Sequence, residues 1–199
     1  MRKKMFMVIG LLLVTMLTCQ LFAVITGDPV KTYGFPMLIT NAGQGPGGKM
    51  TRQIVADSGF VLDQEFFYIS EPEPENLPAG KYSCLLVVIG STDKGLGASG
   101  ITIDDEIERL ERMLAHAKSI NLPIIAILME SDKRSKIPTN ANERCIDLVC
   151  PQSEWMIVVK QGNTDNRFDE LSAKYNIPLT VYSKAPMDLM TIFKQMLPK

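Results

Sequence analysis

Two unbroken apolar blocks, Leu85-Leu86-Val87-Val88-Ile89 and Ile124-Ile125-Ala126-Ile127-Leu128, constrain the fold of this chain more than any other feature. A strand with one wet face alternates polar and apolar residues. A strand apolar on both faces needs cover on both, as in a parallel sheet sandwiched between helices. Shorter runs of the same kind predict further strands at Met37–Asn41, Glu65–Ile69, Trp155–Lys160 and Leu179–Tyr182. The two blocks themselves predict strands over Cys84–Gly90 and Ile124–Met129.

Helical periodicity fills the intervals. Met50–Ser58 runs up to Gly59, a plausible C′ glycine. In Asp104–Ile120, the residues Ile103, Ile107, Leu110, Leu114 and Ala117 form one apolar stripe. Glu106, Glu108, Arg109, Glu111, Arg112 and Lys118 are expected on the other faces, with the only histidine, His116, turned to solvent. Asn140–Val149, Arg167–Tyr175 and Pro186–Met196 complete the set. The β-α alternation predicts an α/β fold: a single doubly wound, Rossmann-like or flavodoxin-like three-layer sandwich, its mostly parallel sheet having about five to six strands.

The amino terminus reads differently. Arg2, Lys3 and Lys4 precede an apolar stretch from Met5 to Ile25 with a polar break at 18–20. That is a signal peptide or an N-terminal membrane anchor over residues 1–25. Cys19 invites a lipoprotein reading, yet Thr18 stands where a lipobox wants Gly, Ala or Ser. A linker over 26–35 and one domain over 36–199 follow. The expected location is exported: extracytoplasmic, secreted or held at the cytoplasmic membrane. Net charge is −1 with a sequence pI near 5.9, so there is no basic footprint for nucleic acid. Cys84, Cys145 and Cys150 remain beyond the signal, an odd number that suits buried thiols rather than a disulfide framework.

Ligands of open parallel sheets bind outside the carboxyl ends of the strands. Two glycine-rich loops are expected there. In the first, Gly43 to Lys49 spells G-x-x-x-x-G-K, most of a phosphate-gripping P-loop. Met50 stands where the magnesium-holding Ser or Thr belongs, and Pro46 removes an amide from the cradle, so ATP is not the expected ligand. The second, Gly90–Gly100, is read as a loop that lets a ligand approach the backbone or as a mobile lid. The candidate ligand-binding residues are Asn41, Gly43, Gln44, Gly45, Gly48 and Lys49 on one wall. Ser91, Lys94, Gly95, Gly97 and Gly100 form the other, with Asn163 after the fifth predicted strand; Asn163 serves equally as a helix cap. A lone histidine and no G-x-S-x-G leave no Ser-His-Asp site, no histidine-based metal centre and no catalytic residue to name. No cofactor or metal is expected.

The loops Ile39–Gln44 and Lys94–Gly100, with Ile103-Asp104-Asp105-Glu106-Ile107 and Ile157–Asn163, resemble a family of exported bacterial α/β proteins, the domain of unknown function numbered 6305. The resemblance spans about Pro36 to Leu197, the length of a whole domain. It implies a single α/β domain and marks the two glycine loops as its characteristic features. It implies no catalytic role. The expected function is binding of a small polar or anionic molecule at the glycine loops, with a membrane transporter or sensor as partner. The alternatives are a hydrolase or transferase using the carboxylate of Asp93 or Asp132, and a non-catalytic interaction module at the membrane.

Overall fold

A computed structural model describes residues 25–199; the signal or anchor segment lies outside the described residues. The sheet has seven strands rather than five or six. They are β1 (Thr26–Gly27), β2 (Met37–Ala42), β3 (Phe66–Tyr68), β4 (Cys84–Ile89), β5 (Ile124–Leu128), β6 (Trp155–Val159) and β7 (Leu179–Tyr182). The extra strand is β1, two residues inside the expected linker. Its only signal is backbone pairing with β7, which a two-residue stretch does not betray in sequence.

The order across the sheet is β1-β7-β6-β5-β4-β2-β3. Every pair from β3 to β7 is parallel, and β1 pairs antiparallel on β7. Counted from β2, the parallel strands follow the flavodoxin-like order, which reverses direction between β2 and β4. A crevice is expected at such a reversal, here at the carboxyl ends of these two strands, where Ala42 stands beside Ile89. The residues of β2, β4, β5 and β6 are all buried, as double-faced apolar strands require.

Among the described residues, six α-helices flank the sheet: α1 (Gly47–Asp57), α2 (Asp93–Ala98), α3 (Ile103–Ser119), α4 (Ala141–Val149), α5 (Arg167–Tyr175) and α6 (Met187–Met196). α1 packs with α6, and α3 packs with α4. The expected second loop contains α2, a short helix that Thr92 caps by accepting from Gly95 N at 3.0 Å. In α3 the buried face holds Leu110, Leu114 and Ala117 of the expected stripe together with Met113, while Ile103 and Ile107 are only half-buried; Glu106 and Arg109, expected on outer faces, are buried instead. His116 is half-buried, its Nε2 lying 3.0 Å from the Leu77 carbonyl oxygen.

The stretch expected as a linker is fastened to the domain at several points. Asp28 N donates to Leu179 O at 2.8 Å, Tyr33 N donates to Met196 O at 2.7 Å, and Tyr33 Oη donates to Glu154 Oε1 at 2.6 Å. Tyr33 also stacks on Trp155, ring centroids 6.3 Å apart. Cys84, Cys145 and Cys150 are buried free thiols. Among the described residues no helix is long and apolar enough to cross a membrane.

Candidate functional site

The first glycine loop leaves β2 at Ala42 and turns at Gly43, whose φ of +95° favours glycine. It is then zipped to the second loop: Gly45 N donates to Gly90 O at 2.7 Å, and Gly90 N donates to Ala42 O at 3.0 Å. Helix α1 begins next with no capping side chain and no acid in its first turn. An uncapped helix start presents bare N–H groups and a partial positive charge. The chain answers from elsewhere. Glu130, just past the carboxyl end of β5, places Oε1 3.0 Å from Gly47 N as acceptor.

The glycines make room for this arrangement. A Cβ on Gly45, Gly47 or Gly90 would meet Glu130 Oε1 at 2.7, 2.8 or 2.4 Å. One on Gly43 would meet Ser91 Cβ at 2.3 Å, and one on Gly48 would meet Asn41 Oδ1 at 1.7 Å. The cradle resembling a P-loop therefore closes around the chain's own carboxylate. Glu130 is only 8% exposed, and its carboxyl pKa is raised by that burial, against the opposing pull of the Gly47 amide and of Lys133. Lys133 Nζ lies 3.9 Å from Glu130 Oε2.

A second internal carboxylate secures the turn itself. Glu106 Oε1 accepts from Gly43 N at 2.7 Å and from Arg109 Nη2 at 2.7 Å, while Oε2 accepts from Arg109 Nε at 2.9 Å. The guanidinium goes on to donate to Asn41 O at 3.0 Å and to Pro72 O at 3.3 Å. This buried, two-point ion pair clips α3 to the end of β2. Gln44 reaches sideways, its Nε2 donating to Glu71 Oε1 at 2.8 Å and its Oε1 accepting from Ser99 Oγ at 3.3 Å.

On the opposite wall, Ser91 N donates to Asn142 Oδ1 at 3.1 Å. Ser91 is 1% exposed, and its Oγ has the buried Cys145 thiol as its side-chain partner. Asn142 Nδ2 and Asn41 Oδ1 are buried without a partner. Lys49 and Lys94 are exposed at the rim. Gly97 and Gly100 face open space. Asn163 stands apart, at the end of β6, where its Oδ1 accepts from Phe168 N at 2.9 Å and its Nδ2 donates to Asp169 Oδ2 at 2.6 Å. That is helix-capping work for α5.

The structure thus gathers Asn41, Gly43, Gln44, Gly45 and Gly48 with Ser91 and Gly95 around the carboxyl ends of β2 and β4, while Lys49 and Lys94 are exposed in the first turns of α1 and α2. It adds Glu106, Arg109, Glu130 and Asn142, which sequence reasoning did not single out. Glu130 had a legible signal: it directly follows the predicted strand Ile124–Met129, at the carboxyl edge of the sheet. Glu106 and Arg109 had a weaker one, an opposite-charge i,i+3 pair bordering the apolar stripe. Asp93 is exposed, and the Asp132 side chain is 72% exposed. A neighbouring concavity of about 240 Å³ at the ends of β5 and β6 is lined by Arg134, Ser135, Lys136 and Asp165. Its Arg134 is already held by Glu143 at 2.9 Å and Asp165 at 2.7 Å.

The model of the family described as Domain of unknown function (DUF6305) matches residues 34–197. The chain belongs to this family. The match covers both glycine loops and every parallel strand, so the crevice lies wholly inside the family domain. No curated protein matches the sequence. Among solved structures, the chain is similar to AlinE4, an SGNH-hydrolase family esterase, at 12% identity, with 83% of this chain and 81% of that one covered and a TM-score of 0.32. Two mutants of that esterase match at 12% identity, the same coverage and TM-scores of 0.31. A likeness of this degree assigns no chemistry to the crevice.

Proposed function

We propose that this member of the 6305 family is an extracytoplasmic binding domain that holds a small polar ligand in the crevice between β2 and β4. One observation carries the reading. Asn41 Oδ1 and Asn142 Nδ2 are buried side-chain polar atoms left without a partner among the described residues, one at the carboxyl end of β2 and the other on the Asn142 side chain that accepts from Ser91 N beyond β4. Buried polar groups are nearly always paired, and each that is not costs stability. A concentration of them at a strand-order reversal favours a site that a ligand completes. Residues 1–25, read from their sequence as a signal peptide or N-terminal membrane anchor, support a location outside the cytoplasm, where a membrane transporter or sensor would be the partner.

A carboxylate-dependent hydrolase or transferase is less well supported. Its two acids, Asp93 and Asp132, are exposed to solvent rather than enclosed in a cleft that would tune them.

Thermal-shift screening of the full chain against sugars, carboxylates and phosphates tests the reading. A ligand at 100 times its Kd adds about 2.7 kcal/mol, which raises Tm by about 5–11 °C for a domain of this size. Ser91→Ala and Asn142→Leu should abolish the shift. A panel without any shift, or shifts that survive both substitutions, would sink the proposal.

A further inference from the structure

We propose that the carboxyl edge of the sheet docks on an anionic lipid bilayer, the one in which residues 1–25 are held as an anchor, so that the strand ends and both glycine loops face the membrane. This rests on the anchor reading of that segment and adds the orientation of the domain.

The path of the chain sets the orientation. β1 is antiparallel to β7, with Thr26 opposite Val181 and Gly27 opposite Thr180. The chain therefore enters β1 beside the carboxyl end of β7, and Ile25, one residue earlier, packs against the core. A spanning helix takes about 20 residues. The apolar stretch from Met5 needs nearly all of its length up to Ile25 to supply them, so no free tether separates bilayer and domain.

The side chains at this edge suit a lipid surface. The most exposed large hydrophobic residues among those described are Ile137 at 62%, Met187 at 61% and Met50 at 48%. They lie in the β5–α4 connection and in the first turns of α6 and α1, all at the carboxyl edge. Each connection leaving that edge also carries an exposed lysine: Lys49, Lys94, Lys136, Lys160 and Lys184 follow β2, β4, β5, β6 and β7. None of the five has an ionic partner among the described residues. Neighbouring acids are paired within the edge: Asp132 with Lys133 at 2.8 Å, Asp165 with Arg134 at 2.7 Å and Asp104 with Arg144 at 2.7 Å. Apolar side chains set among lysines make an interfacial surface. Each lysine close to an anionic surface strengthens adsorption about fivefold.

The test is acylation of lysines in the full chain by a membrane-impermeant amine reagent, read by peptide mass. The chain is held in equimolar phosphatidylglycerol–phosphatidylcholine vesicles or in micelles of a neutral detergent. Lys118, Lys174 and Lys194, in the last turns of α3, α5 and α6 at the opposite edge, serve as internal controls. Relative to these, Lys49, Lys136, Lys160 and Lys184 should react at least about threefold more slowly in the vesicles than in micelles, and less protection should remain at high salt. Ile137→Glu/Met187→Glu alters only exposed positions and should return the rates toward the micelle values. Equal labelling at both edges, protection of the control lysines instead, or full protection in the double variant overturns the proposal. So does protection seen only in native membranes and absent from protein-free vesicles, which would assign the edge to a protein partner. Recovery of the chain solely in soluble form, cleaved after Ala23, overturns it as well. Protection without any ligand-induced thermal shift retires the binding reading and leaves the docking; a shift without protection does the reverse.

Discussion

Replacing Glu106 by leucine should be among the most damaging single changes in this domain, and the structure says why. Glu106 is 1% exposed, and its partner Arg109 is 7% exposed. The substitution strips the guanidinium of both carboxylate contacts, at 2.7 and 2.9 Å, and leaves only carbonyl oxygens around it. It also orphans Gly43 N. Breaking one side of a buried pair costs roughly 3–5 kcal/mol, because the remaining charge stays desolvated. The stranded amide alone would cost about 1–3 kcal/mol, but it belongs to the same cluster, so the terms overlap. A total of roughly 3–5 kcal/mol lowers Tm by about 6–20 °C for a domain of this size. Urea unfolding followed by tryptophan emission is a suitable assay, since Trp155 is the only tryptophan and is fully buried. The double variant Glu106→Leu/Arg109→Met removes both charges, so it should be at least about 1 kcal/mol more stable than the single one. A loss below about 1 kcal/mol for the single change, or a double variant less stable than the single, would refute the argument that this ion pair is desolvated and mutually dependent.

Three further outcomes are expected. Gly48→Ala should cost about 1–3 kcal/mol by overpacking against Asn41, whereas Gly97→Ala, with nothing within 4 Å, should stabilise by about 0.4–1 kcal/mol; chemical denaturation of both variants checks the contrast. Burial raises the Glu130 carboxyl pKa, so between the ordinary Glu value and that raised value the native state binds more protons than the unfolded one. Stability therefore falls as pH rises through this window, and Tm measured from pH 4 upward should show a shallower decline in Glu130→Gln; parallel curves would exclude the linkage. Burial pushes the thiols of Cys84 and Cys145 up to about 12 and that of Cys150 still higher, so peptide mapping should find all three unlabelled by a thiol reagent at pH 8 until urea is added.

The layered architecture was legible because it is written in local periodicity. Leu85–Ile89 and Ile124–Leu128 can only be doubly buried strands, and the predicted spans for α5 and β7 coincide with the observed ones. Boundaries slipped where a remote group sets them. Helix α1 begins at Gly47 rather than Met50, because Glu130, 83 residues away, satisfies its first amide. In α2 the missed signal was local: small residues looked like a lid, and Thr92 caps a turn of helix instead.

The sequence by itself determined that this is a parallel α/β domain of the 6305 family, with two glycine-rich loops at the carboxyl edge of the sheet. Composition, periodicity and motif spacing are properties of neighbours along the chain, and neighbours suffice for that. Only the tertiary structure decided what the glycines enclose. The strand order β3-β2-β4-β5 brings Glu106 and Glu130 from two different βα connections onto the amides of Gly43 and Gly47. A loop that reads as a grip for an external phosphate is thereby filled by internal carboxylates, since a helix start without its own cap takes whatever negative group the fold delivers to it.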